Sequence, residues 1–368
     1  RRVINWLEEK VLASFDKGGS PASLMISCLA SYKPLSKYPS MQSAKFPSEL
    51  ECLKMRQLLE PLEQMALRGT MPTFGKVRHA VSKKVRAQYE QNPYPKWVNV
   101  HLSKSRSLND WATIEGVKIF DKSILKVVEP EVLIAGCGTG QHSIVTAKGF
   151  LNSRVLAIDL SLSSLSYAKL KTKKLGIDNI TYLHADILDL ENMDRKFDII
   201  ESVGVLHHMA EPLKGWQILR RMLRPSGLMR IGLYSTHARQ SITEIRNGFK
   251  ENYLGLDDEG LRSLREEAKA SNDKHWKKTL ESADAYSLSE FRDFVYHVQE
   301  HQFTISQLKS SLAELNLKFL GFVLADYTIR NEFKKHFPGK DAEFDLENWD
   351  KFENNNQNTF AGMYQFWC

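Results

Sequence analysis

Only four cysteines occur in 368 residues, Cys28, Cys52, Cys137 and Cys368, and none pairs with another at CxxC spacing. That scarcity excludes a disulfide-stapled scaffold and a cysteine-built metal site, and it leads us to expect a reduced, cytoplasmic protein. No apolar run approaches the roughly 18 residues that span a bilayer, so no membrane partner is expected. The first residues, RRVINWLEEKV, turn acidic too soon for a secretory signal and lack an initiator methionine, as a piece of a longer chain would. The net charge is +7, but basic runs interleaved with aromatics are missing. SKKVR and KLKTKK stand alone and read as solvated helix faces, so a nucleic-acid partner is not expected.

What is present is an ordinary globular composition, 42% hydrophobic and 26% charged, arranged in five segments. Residues 1–85 are predicted to be helical, because INWLEEKVLASF and ELECLKMRQLLEPLEQMAL carry apolar residues three and four apart. Residues 86–130 hold a stretch rich in proline and aromatics, followed by a helix. From 131 to 235, EVLIAG, RVLAID, ITYLHAD, FDIIESVGV and GLMRIGLYS read as strands separated by helical stretches. This alternation implies right-handed crossovers and a mostly parallel, Rossmann-like sheet covered on both faces. Residues 236–300 are expected to form a helical lid or substrate insertion. Residues 301–368 should complete the sheet with a helix capped by Thr304, a strand at KFLGFVL and a last, antiparallel strand within TFAGMYQFW.

Three glycines at alternate positions, Gly136, Gly138 and Gly140, close the first strand of this core. The dinucleotide pattern GxGxxG would require glycine where Gln141 stands, and GxxxxGK[ST] is absent. The spacing lets the backbone lie against a ligand. Asp159 follows at the end of the next strand, where a carboxylate can accept both hydroxyls of a ribose; the alternative is a cap on the helix near Ser161. Asp186 ends the third strand, where it can accept from an adenine amino group with Ile187 beside the ring and Leu160 on the other side. A plain turn aspartate is the alternative there.

VLIAGCGTG, VLAIDLS, HADILDL, FDIIESVGVLHHM and LRPSGLMRIGLY resemble the successive motifs of class I S-adenosylmethionine-dependent methyltransferases over about 131–235. The resemblance implies adenosylmethionine as cofactor, adenosylhomocysteine as product and no metal. The implied contacts are Gly136, Gly138, Gly140, Gln141, Asp159, Leu160, Asp186 and Ile187, with Val203 near the methionine portion. One position departs from the pattern. Where the family commonly has an acid two residues before the first glycine, this sequence has Ile134, and Glu201 or Ser202 is expected to anchor the methionine amino group instead. AVSKKVRAQYEQNPYPKWV, VQEHQFT and FAGMYQFW further resemble the methyltransferase portion of bacterial proteins that carry tetratricopeptide repeats upstream.

An acceptor hydroxyl or ammonium must lose a proton, and His207 and His208 after the fourth strand are candidate bases; a structural turn is the alternative. QYEQNPYPKW, with two prolines and three aromatics, is not expected to make a regular helix. Tyr89, Tyr94 and Trp97 from it would cover the sulfonium or line the acceptor site, or simply pack on the core. His297 and His301 would share one helix face if VYHVQEHQF is helical, but no third metal ligand is apparent. His297, Tyr89 and Tyr234 are therefore read as lining the acceptor pocket. The function expected is methyl transfer to a small molecule or peptide side chain. Its rivals are a nucleic-acid methyltransferase, for which the NPPY-type motif is missing (ESVGV stands there), a non-catalytic adenosylmethionine-binding module, and a dehydrogenase, which Gln141 disfavours.

Overall fold

The computed structural model describes residues 2–248, 256–324, 326–360 and 362–368. Seven residues of the expected insertion, 249–255, and Ala361 in the expected last strand lie outside the described residues. The apolar runs of the central segment become strands because each is β-branched or aliphatic and is followed by a turn into a helix. In chain order the strands are β1 (Thr73–Phe74), β2 (Glu131–Ala135), β3 (Arg154–Asp159), β4 (Ile180–Ala185), β5 (Phe197–Val203), β6 (Leu223–Tyr234), β7 (Gly321–Phe322) and β8 (Met363–Trp367). They form one eight-stranded sheet in the order β1-β4-β3-β2-β5-β6-β8-β7. All neighbours from β1 to β6 run parallel, while β8 pairs antiparallel with β6 and β7. The sheet is thus the mostly parallel, Rossmann-like sheet expected, with an antiparallel end.

Strand alternation divides the core between two faces. Leu133, Leu156, Ile158, Ile200, Met229 and Ile231 pack on one side with Trp216 and Trp349. Val132, Ile134, Val155, Ala157 and Ile199 pack on the other with Trp111 and Trp367. Both faces are covered, so the central strands read as continuous apolar runs.

Among the described residues, further apolar clusters hold the N-terminal helices and the insertion together: Leu7, Val11, Ile26, Leu29 and Leu58 in the first, and Ile242, Leu261, Leu264, Phe291 and Val295 in the second. The two ends of the insertion are clasped by a buried bidentate pair: Arg239 donates from Nε and Nη2 to Glu300 at 3.0 and 2.5 Å.

Several expectations need correcting. Residues 1–85 are not wholly helical, because Thr73–Phe74 joins the sheet beside β4. The helix Ala80–Gln91 runs across the expected boundary at 85 and takes in Gln88 to Gln91 of the proline-rich stretch; only the part from Asn92 onward is irregular. KFLGFVL contributes just Gly321–Phe322 to the ladder. The helix Leu288–Tyr296 ends before His297, so His297 and His301 share no helix face. Thr304 does cap the helix Ile305–Glu314, in a capping box with Gln307.

Candidate active site

The sheet order lays the C-terminal ends of the parallel strands side by side, β4 with Asp186, β3 with Asp159, β2 with the glycine turn, β5 with Val203 and β6 with Tyr234, and brings the start of the antiparallel β8, Met363, beside Tyr234. All of these residues line one cavity of about 270 Å³, except that within the turn Gly140 faces Ala168 and Tyr182 instead. Tyr89 of helix Ala80–Gln91 and the following Tyr94 and Pro95 line it as well, as does Asp293 of the insertion helix Leu288–Tyr296.

The glycines are required on two counts. Gly136, Gly138 and Gly140 have φ of 83°, 51° and 86°, a left-handed backbone that side chains rarely adopt. A Cβ at Gly136 would stand 2.3 Å from Val205, and one at Gly140 would stand 2.5 Å from Ala168. What presses against these two is therefore the protein itself rather than a ligand. At Gly138 the neighbour is the Tyr94 carbonyl, 2.9 Å from a built Cβ.

Asp159 is held by the turn it follows. Its Oδ2 accepts from the Gly138 amide and its Oδ1 from the Ser161 amide, both at 2.8 Å. Burial pushes its carboxyl up to about 6 despite these bonds. The cap of the next helix is Ser161, not Asp159. Asp186 caps the short turn at Ile187–Asn192 with Oδ1, which accepts from the Leu188 amide at 3.0 Å. Its Oδ2 is buried with no partner among the described residues. A buried acceptor without a donor is costly, and an adenine amino group is a donor that would relieve it. Leu160, Ile187, Gln141 and Val203 all line the cavity.

Other expected residues face elsewhere. Glu201 and Ser202 are buried and do not line the cavity. Glu201 pairs with His142 and accepts from Thr146 Oγ1 at 3.2 Å, and Ser202 donates to the Ala135 carbonyl at 3.1 Å. Neither is positioned to anchor an amino group directly. Burial would raise the Glu201 carboxyl, but His142 and Arg230 hold it below its ordinary value. In the β2–β5 register Glu201 stands beside Ile134, so an acid does occupy this face, one strand over. Trp97 is also outside the cavity; its Nε1 donates to the Thr139 carbonyl at 3.1 Å, and its ring packs with Ile144 and Ile177 behind the glycine turn.

The histidines form a buried stack. His208 lies on His297 with centroids 3.5 Å apart, and His207 lies on Tyr234 at 3.9 Å. His208 Nδ1 donates to the Gln299 carbonyl at 2.6 Å, which leaves its Nε2 to accept from His207 Nε2 at 3.1 Å. Burial drives His207, His208 and His297 well below histidine's usual range, so all three are neutral. His208 lines the cavity; His207 and His297 do not. His301 lies 3.1 Å from the Gln299 amide, and Glu300 is committed to Arg239 and Arg246.

Sequence reasoning missed Asp293. It is buried, lines the cavity and accepts from the Tyr89 hydroxyl at 2.7 Å, while the same hydroxyl lies 3.1 Å from His297 Nε2. Burial, the largest effect, pushes its carboxyl up to about 7. The available signal was a carboxylate in the run FRDFVY, between the apolar residues of a helix packed on two sides.

Residues 129–284 match the family model described as a methyltransferase domain. The chain is 28% identical over 204 residues to an uncharacterized protein of Synechococcus, covering 52% of this chain and 48% of that one. It is 26% identical over 160 residues to a malonyl-[acyl-carrier protein] O-methyltransferase of Paenibacillus, covering 43% and 56%. The chain thus spans about half the length of the curated relatives it matches. Among solved structures, PKMT2 of Rickettsia typhi in complex with AdoHcy superposes with a TM-score of 0.52 at 16% identity, over 74% of this chain and 54% of that one. That likeness is one of fold. With the motif residues gathered on one sheet edge and the match running through β2 to β6, residues 129–284 carry a methyltransferase domain of the Rossmann-like, S-adenosylmethionine-dependent type.

Proposed function

We propose that the chain transfers the methyl group of S-adenosylmethionine to a small-molecule or peptide side-chain acceptor. The observation that carries this reading is the unpartnered Asp186 Oδ2 at one end of a cavity that continues past Asp159 and the glycine turn to Tyr234. Asp186 would hold the adenine amino group between Leu160 and Ile187, and Asp159 the ribose hydroxyls with the lone pairs its amide bonds leave free. The turn at Gly136–Gln141 and Val203 would border the methionine portion. Bound adenosylmethionine supplies a methyl group already activated on a sulfonium sulfur. The protein's part is to align the acceptor and exclude water, and the Tyr89, Tyr94 and Pro95 cover is suited to that. No lysine or arginine is among the described residues lining the cavity, which disfavours a phosphodiester acceptor.

Calorimetry with adenosylhomocysteine tests the reading. The wild type should bind, and Asp159→Ala should weaken binding by about 10- to 100-fold, the effect of losing hydrogen bonds to a charged group. Equal affinity in the mutant would reject the assignment.

A further inference from the structure

The end of the cavity beyond Val203 is built from groups that the donor-binding reading leaves unused. β6 brings Tyr234, helix Ala80–Gln91 brings Tyr89 and the insertion brings Asp293 to the same space. Because Asp186, Asp159 and the glycine turn follow one another along β4, β3 and β2, the next strands, β5 and β6, flank the position where an acceptor must meet the methyl carbon. We propose that Asp293 is the catalytic base of the acceptor site, receiving the acceptor's proton, and that Tyr89 is the positioning residue that holds its carboxylate toward the cavity. This rests on the donor-site reading above.

The step balances without a further reagent. The acceptor's lone pair forms the new bond to the methyl carbon, and the carbon–sulfur bond breaks with its electron pair passing to sulfur. The acceptor's proton goes to an Asp293 carboxylate oxygen, giving the neutral acid. An oxygen or nitrogen acceptor that carries a proton is therefore the substrate class.

Geometry favours Asp293 over the neighbouring histidines. His207 is outside the cavity, and one nitrogen of His208 is spent on the Gln299 carbonyl. The imidazoles are also too weakly basic at neutral pH to hold a proton, whereas burial tunes the Asp293 carboxyl up to about 7, near the working range of a general base. Tyr89, Tyr94 and Tyr234 face that carboxyl from the core side. Arg239 favours its ionised form, while Asp284 and Glu300 oppose it. The Tyr89 hydroxyl, bridging Asp293 and His297, fixes Oδ1, and Oδ2 has no hydrogen-bond partner among the described residues, which leaves it for the acceptor.

The test compares the wild type with Asp293→Asn, Asp293→Glu and Tyr89→Phe. Adenosylhomocysteine binding is measured by calorimetry. Tritiated methyl transfer from adenosylmethionine is followed across pH with two probes, a tryptic peptide pool and a small-molecule cell extract. Asp293→Asn should bind adenosylhomocysteine within about twofold of wild type yet lose about 100-fold or more of the transfer rate. Asp293→Glu should recover part of it. Wild-type transfer should rise with pH through the titration of Asp293. In Tyr89→Phe that midpoint should move upward, because the lost hydrogen bond favoured the ionised form. Wild-type transfer rates in Asp293→Asn would overturn the proposal. So would absence of transfer by the wild type to either probe while adenosylhomocysteine still binds. Failure of adenosylhomocysteine to bind the wild type would instead overturn the donor-site reading.

Discussion

Asp293 is a costly residue for the fold to keep, and its cost has a definite pH dependence. Its carboxyl is raised from 3.8 to about 7 in the folded state. Between those values the folded protein binds a proton that the unfolded chain has released, so stability falls as pH rises through that window and the full cost is present above about 7. An asparagine there can still accept from Tyr89 and never ionises. Asp293→Asn should therefore leave the melting temperature nearly unchanged near pH 4 and raise it at pH 8, by up to about 4 kcal/mol in stability. Thermal melts at the two pH values check this; a mutant no more stable than wild type at pH 8 would mean the carboxylate is better solvated than its surroundings indicate. A variant that gains stability while losing turnover is what a strained catalytic group produces.

At the scale of elements, the insertion meets the core through Tyr89 on Asp293, Gln88 on the Val298 amide and the His208–His297 stack, while a buried ion pair ties its own two ends together. Its own cluster, around Leu261, Leu264 and Phe291, is separate from the sheet's. The Arg239–Glu300 pair is buried at both ends, with 2% of each side chain exposed, and Arg239 also donates to the Phe294 carbonyl and lies 4.3 Å over the Tyr234 ring. Arg239→Ala would leave Glu300 with Arg246 at 3.2 Å as its remaining cation and the Gln302 amide at 3.0 Å. It should cost about 3–5 kcal/mol in denaturant unfolding, the usual effect of breaking a buried pair from one side. Hydrogen exchange should speed up over 288–301 well before it does in β2 to β5.

Legibility in the sequence also divides by element. Strands β2 to β6 were readable because each is a long apolar run ending in a turn, and Asp159 and Asp186 because they end two of those runs. Thr73–Phe74 was not, since two residues carry no periodicity and pair only because β4 offers an edge. Glu201 stood out as an acid in an apolar strand, but strand alternation does not say which face holds its partner, and His142 is 59 residues away. Asp293 was hidden for the same reason: its helix shows an apolar stripe at Leu288, Phe291 and Val295, and only the tertiary packing of the opposite side makes Asp293 a cavity residue. Trp97 was overread, because proximity to a proline-rich cover does not determine which side of the glycine turn a ring packs against.

At the scale of the whole molecule, the net charge of +7 does not concentrate in the run KLKTKK. Lys171, Lys173 and Lys174 of the basic run pair with Glu60 and Glu63 of the N-terminal helices, so this run ties the N-terminal unit to the core rather than offering a free basic patch. The cavity at the sheet edge is, by contrast, lined by acids, phenols and apolar groups. The central claim is that one adenosyl ligand lies along that edge in strand order. A crystal structure with adenosylhomocysteine tests it most directly. The account predicts the adenine amino group within hydrogen-bonding distance of Asp186 Oδ2, the ribose hydroxyls on Asp159, and the thioether sulfur turned toward Tyr234 and Asp293. Adenosylhomocysteine bound away from β2, β3 and β4, or lying in the reverse direction along them, would contradict it.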